Sequence, residues 1–482
     1  MNGASMIAMT RGIALSLMLL GADAVRAQAR ETPPPPSAFR PLQIATPREQ
    51  TLPNGLRVIV AERRGLPLVT AQLLVLSGNE VDPANRCGLA TMTAGLLTKG
   101  TRRRSATQIA RAAEALGGTI DSTAGWDRST VAMTVTTPKL DEALALIGEV
   151  MTEPAFKQQE LDRLRSQAID ELKVAYSKPG TLASLVAARM LFGSSPYGNP
   201  PGGTPASLTR VTRADVLELY RSHYRPDNAV LVLAGDVDLS LAVSMAERHF
   251  GRWHVAGEPL LATPRQAGTA SDTPLTVIDM GSTGQAAVVL ALPLQAGNGT
   301  DQAVSEVTNA VVGGGYSSRL NQEIRIKRGL SYGAGSRVDE RREGGLIRAT
   351  VQTKNESATE VVALMQAEFD RIADTAVTAD ELAARKATLI GTFSRSVETT
   401  EGLAQQVAAM VALGLSPAEL PRRLGQLSDV NYTQVQQYAR SHFAASKRRI
   451  AVAGNAGQFE STLKAAVPAL VSVKQAQLNL DR

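Results

Sequence analysis

Residues 205–235 can be laid over residues 424–454 without a gap, and this internal repeat limits the folds open to the chain more than any other feature. Leu208, Val211, Val216, Arg221, Ser222, His223, Ala234 and Gly235 meet Leu427, Val430, Val435, Arg440, Ser441, His442, Ala453 and Gly454, each pair 219 residues apart. Tyr224 against Phe443 and Leu231 against Ile450 are similar partners at the same offset. Unbroken Arg-Ser-His and Ala-Gly matches point to a duplicated domain. With 482 residues, 44% of them hydrophobic, each copy has enough chain and apolar side chains for its own core. The copies are expected at 49–256 and 274–468, joined by a Pro-, Gly- and Ser-bearing link at 257–273 and followed by a short tail at 469–482.

Within each copy, strands come early and helices follow. Residues 51–60 read as strand, Asn-Gly turn, strand. Residues 119–124 and 129–136 read as a hairpin, the second arm rich in β-branched side chains. Helices are expected at 88–98, 106–116, 140–151, 158–176, 182–192, 213–224 and 239–250. Hairpins in place of strict strand–helix alternation favour an α+β fold, two homologous domains each with an antiparallel-rich sheet covered by helices.

Residues 1–27 carry a positive Arg11, an apolar core at 13–21 and a Val-Arg-Ala close, the pattern of a secretory leader. That places the chain in the periplasm or outside the cell, with no membrane span once the leader is removed. A Pro-rich, extended linker follows at 28–48. Cys87 is the only cysteine, so no disulfide forms within the chain. The net charge of +6 is spread thinly, without the basic blocks and interleaved aromatics of a nucleic-acid binder.

The stretch 88–101, Gly-Leu-Ala-Thr-Met-Thr-Ala-Gly-Leu-Leu-Thr-Lys-Gly-Thr, resembles the zinc-binding helix of the pitrilysin/insulinase-type metallopeptidases. That family carries His-x-x-Glu-His between a similar Gly-Leu-Ala opening and Lys-Gly-Thr close; two His bind the metal and the Glu activates water. Here Thr91, Ala94 and Gly95 stand at the three positions. Glu171 falls where the family's third ligand would be, and one carboxylate without imidazole partners is a weak zinc site. The four His residues, 223, 249, 254 and 442, include no helical chelating pair. His223 and His442 occupy equivalent places in the repeat, which assigns them a structural role.

The resemblance extends over 223–236, over 195–198 with 203–205, and over 313–320 and 324–332, and so over nearly all of the mature chain. It implies a pitrilysin/mitochondrial-processing-peptidase-like fold, and it implies a role for Arg325 and Tyr332. In the family a second-domain Arg and Tyr at this spacing hold the substrate backbone and stabilise the developing oxyanion. A helix over 317–327, ended by Gly329, would bring the two side chains together. The plain alternative is an Arg in a surface ion pair and a Tyr packed at a strand edge. Gly313, Gly314 and Gly315 permit close approach of a peptide, or simply end a helix. The expectation is a non-catalytic, substrate-binding subunit that binds no metal itself and supplies Arg325 and Tyr332 to a zinc site on a homologous partner chain. A non-proteolytic scaffold or peptide-binding pseudoenzyme is the second reading, and a peptidase with an unrecognised metal site the third.

Overall fold

A computed structural model describes residues 43–255, 257, 268–296 and 299–481, with 299 and 300 described by backbone alone. The leader at 1–27, the linker up to 42 and most of the link at 257–273 lie outside the described residues.

The first half contains β1 (Arg48–Thr51), β2 (Arg57–Glu62), β3 (Leu68–Val75), α1 (Leu89–Leu97), α2 (Ala106–Ala115), β4 (Ile120–Ala124), β5 (Ser129–Thr136), α3 (Leu140–Thr152), α4 (Gln158–Tyr176), α5 (Pro179–Phe192), α6 (Pro205–Arg210), α7 (Arg213–His223), β6 (Ala229–Gly235) and α8 (Leu239–Phe250). The second half contains β7 (Leu275–Asp279), β8 (Ala286–Leu294), α9 (Gly299–Val312), a π-helical turn (Asn321–Ile326), β9 (Ser331–Arg341), β10 (Gly344–Thr353), α10 (Ala358–Asp374), α11 (Ala379–Ser396), α12 (Thr400–Ala412), α13 (Arg423–Asp429), α14 (Tyr432–His442), β11 (Arg449–Gly454), α15 (Glu460–Ala466) and β12 (Val471–Lys474).

Each half is a six-stranded mixed sheet with helices, in the orders β1-β2-β6-β3-β5-β4 and β12-β7-β11-β8-β10-β9. Five strands correspond one to one; only the outer strands β1 and β12 differ in origin. β1 runs antiparallel to β2, whereas β12, within the stretch read as a tail, runs parallel to β7. The repeat is visible element by element. α7 and α14 both begin with a capping box, Thr212 with Asp215 and Asn431 with Gln434, so the local signal survives although the residues differ. The matched glycines have a packing cause. Gly235 has φ 134°, and a Cβ there would stand 2.1 Å from the Leu68 carbonyl; a Cβ on Gly454 would stand 2.7 Å from Asn355 Oδ1.

β6, Ala-Val-Leu-Val-Leu-Ala-Gly, is buried at every position because both sheet faces are covered. On one face lies each half's own helical layer. The other face is covered from the opposite half. α5 of the first half packs on β8 and β11, putting Leu182, Val186 and Met190 against Ala287, Val289 and Ala451. Reciprocally, α12 of the second half packs on β3 and β6, and Thr70 Oγ1 lies 2.9 Å from Thr400 Oγ1. Each half completes the other's sheet, so neither can bury its sheet alone. α5 begins at Pro179, earlier than the helix expected at 182–192, because Pro at the first helical position needs no hydrogen-bonded N–H.

Candidate functional site

α1 is a well-built helix. The Asp82 carboxyl oxygens accept from Gly88 N (2.7 Å) and Ala90 N (2.8 Å), satisfying two orphan donors of the first turn. Leu89, Met92, Leu96 and Leu97 face the first core. The three positions of interest are already engaged in packing. Thr91 Oγ1 lies 2.8 Å from Asn79 Oδ1 and 3.0 Å from the Pro201 carbonyl. Ala94 is fully buried, and its carbonyl accepts from Ser122 Oγ at 2.8 Å. A Cβ at Gly95 would stand 3.1 Å from Leu164 Cδ2, so a neighbouring leucine fills the space beside it. Glu171, on the exposed side of α4, accepts from Gln167 Nε2 at 2.9 Å. One engaged hydroxyl and one solvated carboxylate do not make a zinc site, which calls for three good protein donors. Among the described residues no three of His, Cys, Asp or Glu gather to hold a metal ion.

His223 and His442 close α7 and α14 in the two copies. His223 Nδ1 lies 3.1 Å from Ser77 Oγ, and His442 stacks on Tyr438 with ring centres 4.1 Å apart.

In the second half, the chain after α9 turns through Tyr316 into a π-helical turn that carries Arg325. π-turns are rare and cluster at functional sites because the widened turn re-aims a side chain. The expected α-helix over 317–327 is thus mostly π-helix, and Gly329 ends it with φ 65°. The segment is well tethered. Arg319 forms a two-pronged pair with Glu381, Arg385 holds Ser317, and Asn321 bridges the Tyr316 carbonyl to Ala334 N. Arg325 lines an open cleft of about 750 Å³, whose walls also include Tyr316, Arg337, Arg348 and, from α5 of the first half, Gly180 and Ser184. The Arg325 guanidinium lies over the Tyr316 ring, 5.0 Å from its centre. Tyr332, the second residue of β9, is 90% exposed. Thr91, Ala94, Gly95 and Glu171 are not in the wall of this cleft.

Sequence reasoning missed Tyr316, Arg337 and Arg348, and it missed a latch between the halves. Arg341, at the end of β9, is buried, with its guanidinium 4.0 Å from the centre of the Trp126 ring, 4.8 Å from that of Phe192 and 5.0 Å from that of Tyr197. It donates to the Tyr197 carbonyl at 2.9 Å and pairs with Asp339 at 2.8 Å. Arg342 beside it donates to the carbonyls of Asp127 and Ala412, and its backbone N to Asp127 Oδ2. The hairpin tip thus plugs into the first half. Only the adjacent pair of arginines at 341 and 342 signals it in the sequence.

Two family models match the chain: "Insulinase (Peptidase family M16)" over residues 57–200 and "Peptidase M16 inactive domain" over residues 210–389. An uncharacterized zinc protease of Streptomyces coelicolor is 26% identical over 82% of this chain and 87% of its own length. A protein of Helicobacter pylori named non-peptidase homolog YmxG is 25% identical over 83% of this chain and 91% of its own. Among solved structures, the peptidase M16 inactive domain from Pseudomonas fluorescens superposes with a TM-score of 0.79 at 26% identity, covering 85% of this chain and 98% of that one. No helix among the described residues is long and apolar enough to cross a membrane.

Proposed function

The chain belongs to the insulinase-type M16 peptidase family, and from that premise we propose that it is the substrate-binding, metal-free subunit of a two-chain peptidase. The observation that carries the proposal is a contrast within one chain. The helix that would hold zinc offers Thr91, Ala94 and Gly95, while the second half presents Arg325 in an open cleft of about 750 Å³. Arg325 holds peptide carbonyls through its fixed donors, and Tyr332 supplies a further O–H to the developing oxyanion. A homologous chain with the intact inverted zinc motif contributes the metal and the general base. The leader pattern at 1–27 supports a periplasmic or secreted location. The domain boundaries at 49–256 and 274–468 are part of the same proposal, with β12 of the following stretch adding the outer strand of the second domain's sheet.

The name given to the Helicobacter pylori relative favours the second reading, a scaffold or peptide-binding pseudoenzyme that takes part in no hydrolysis. One experiment separates the two. The chain is mixed with a homologous zinc-bearing chain, and peptide cleavage is followed. Cleavage is expected from the mixture and not from this chain alone, with Arg325→Ala or Tyr332→Phe lowering kcat by about 10- to 100-fold. Unchanged cleavage with both variants supports the scaffold reading. Cleavage by this chain alone, with stoichiometric zinc bound, supports a peptidase with its own metal site.

A further inference from the structure

We propose that the Arg325 cleft selects carboxylate-bearing peptides, a specificity that rests on the cleft being a peptide site. Among the described residues three arginines line it, Arg325, Arg337 and Arg348, and no Asp or Glu does. Arg337 and Arg348 are direct cross-strand partners in the β9–β10 ladder, so two guanidinium groups leave the same sheet face side by side. Like charges directly opposite one another destabilise a strand pair. Other arginines of the second half are paired with carboxylates, as in Arg319 with Glu381, Arg328 with Glu323 and Arg423 with Glu306. Among the described residues none of the three cleft arginines has a carboxylate in ion-pairing reach.

The fold does not require this charge. The cleft beside the corresponding hairpin of the first half, β4–β5, is lined by Glu114, Asp121 and Glu401 and, among the described residues, by no Lys or Arg. The duplicated architecture is therefore built with either sign, and in the second half two like charges stand directly opposite each other in the ladder. An incoming carboxylate relieves that repulsion and accepts paired donors from the guanidinium forks. Acidic side chains and a peptide's C-terminal carboxylate share this chemistry.

The test is fluorescence anisotropy of the full-length chain with three labelled peptides of equal length: an acidic one amidated at its C-terminus, a neutral one with a free C-terminus, and a neutral amidated one. At least one of the first two is expected to bind about tenfold more tightly than the neutral amidated peptide, the preference shrinking as salt is raised. Which of the two binds identifies the source of the carboxylate. Arg337→Ala and Arg348→Ala are each expected to remove about three- to tenfold of the preference. Thermal melts of the same samples establish that both variants are folded. Equal binding of all three peptides overturns the charge selection and leaves the peptide site standing. Binding of none overturns both. An acidic preference that survives both substitutions overturns the placement at these arginines.

Discussion

Truncating Arg341 to Ala is expected to destabilise the protein by about 4 kcal/mol. The side chain is only 4% exposed, so its interactions are little weakened by water. It lies against three aromatic rings, at 4.0 Å from Trp126, 4.8 Å from Phe192 and 5.0 Å from Tyr197. A desolvated cation–π contact contributes about 2 kcal/mol, and the rings share one cation, so this is counted once. Removal also leaves the Tyr197 carbonyl without its donor, a loss of about 1–3 kcal/mol. Asp339 is 34% exposed and turns to water, adding little. The void between the rings brings the total to the upper range of single substitutions. The assay is urea unfolding followed by tryptophan fluorescence, since Trp126 lies directly beneath the guanidinium. Arg341→Lys restores a cation without the planar stacking face and is expected to recover about half of the loss. A variant Arg341→Ala within about 0.5 kcal/mol of the parent would refute the idea that this hairpin tip locks the halves together.

Gly235→Ala is expected to cost more than about 3 kcal/mol, because the new Cβ meets the Leu68 carbonyl at 2.1 Å; Gly65→Ala, with φ 123° and no described atom within 4 Å of the new Cβ, is expected to cost about 1 kcal/mol in the same urea titrations. Installing the family motif by Thr91→His, Ala94→Glu and Gly95→His is expected to leave zinc below stoichiometric amounts by elemental analysis, since Ala94 is fully buried and Leu164 stands beside Gly95. Tightly held stoichiometric zinc in that triple variant would show the site to be merely unliganded and not refilled. Glu340 is held protonated up to about 7 by burial and then by Glu306 and Asp339, against Arg423. The folded state therefore binds more protons than the unfolded chain, and stability falls by about 3 kcal/mol as pH rises from 4.5 to 7. Glu340→Gln is expected to flatten that slope in urea titrations and to raise stability at pH 8; an unchanged slope counts against the assignment.

The duplication could be read from the sequence because the matched residues answer demands that both copies share. Gly235 and Gly454 stand where no Cβ fits, and the last residues of α7 and α14 close equivalent helices. Strand and helix positions followed from alternation and capping, which act within a few residues. The exchange of α5 and α12 between the halves could not be read. An amphipathic helix announces an apolar face but not whose sheet it covers. Nor could the Arg337–Arg348 pairing be read. The two-residue turn of this hairpin is Arg342-Glu343, which lacks the Asn-Gly or Asp-Gly signature that would have fixed the register.

The two halves of the candidate site also differ in what their survival means. The frame around α1 persists whether or not it ever meets a metal, because Leu89, Met92, Leu96 and Leu97 are core residues and Asp82 caps the helix. Its family likeness is therefore evidence of packing. The arginines of the second cleft have no such excuse. Arg337 and Arg348 stand directly opposite each other in a strand pair, Arg337 exposed and Arg348 half-buried, so stability alone does not call for two like charges there. The proposed peptide-binding role therefore rests on the arginine-lined cleft of the second half, and not on the first half's resemblance to a metal-binding helix.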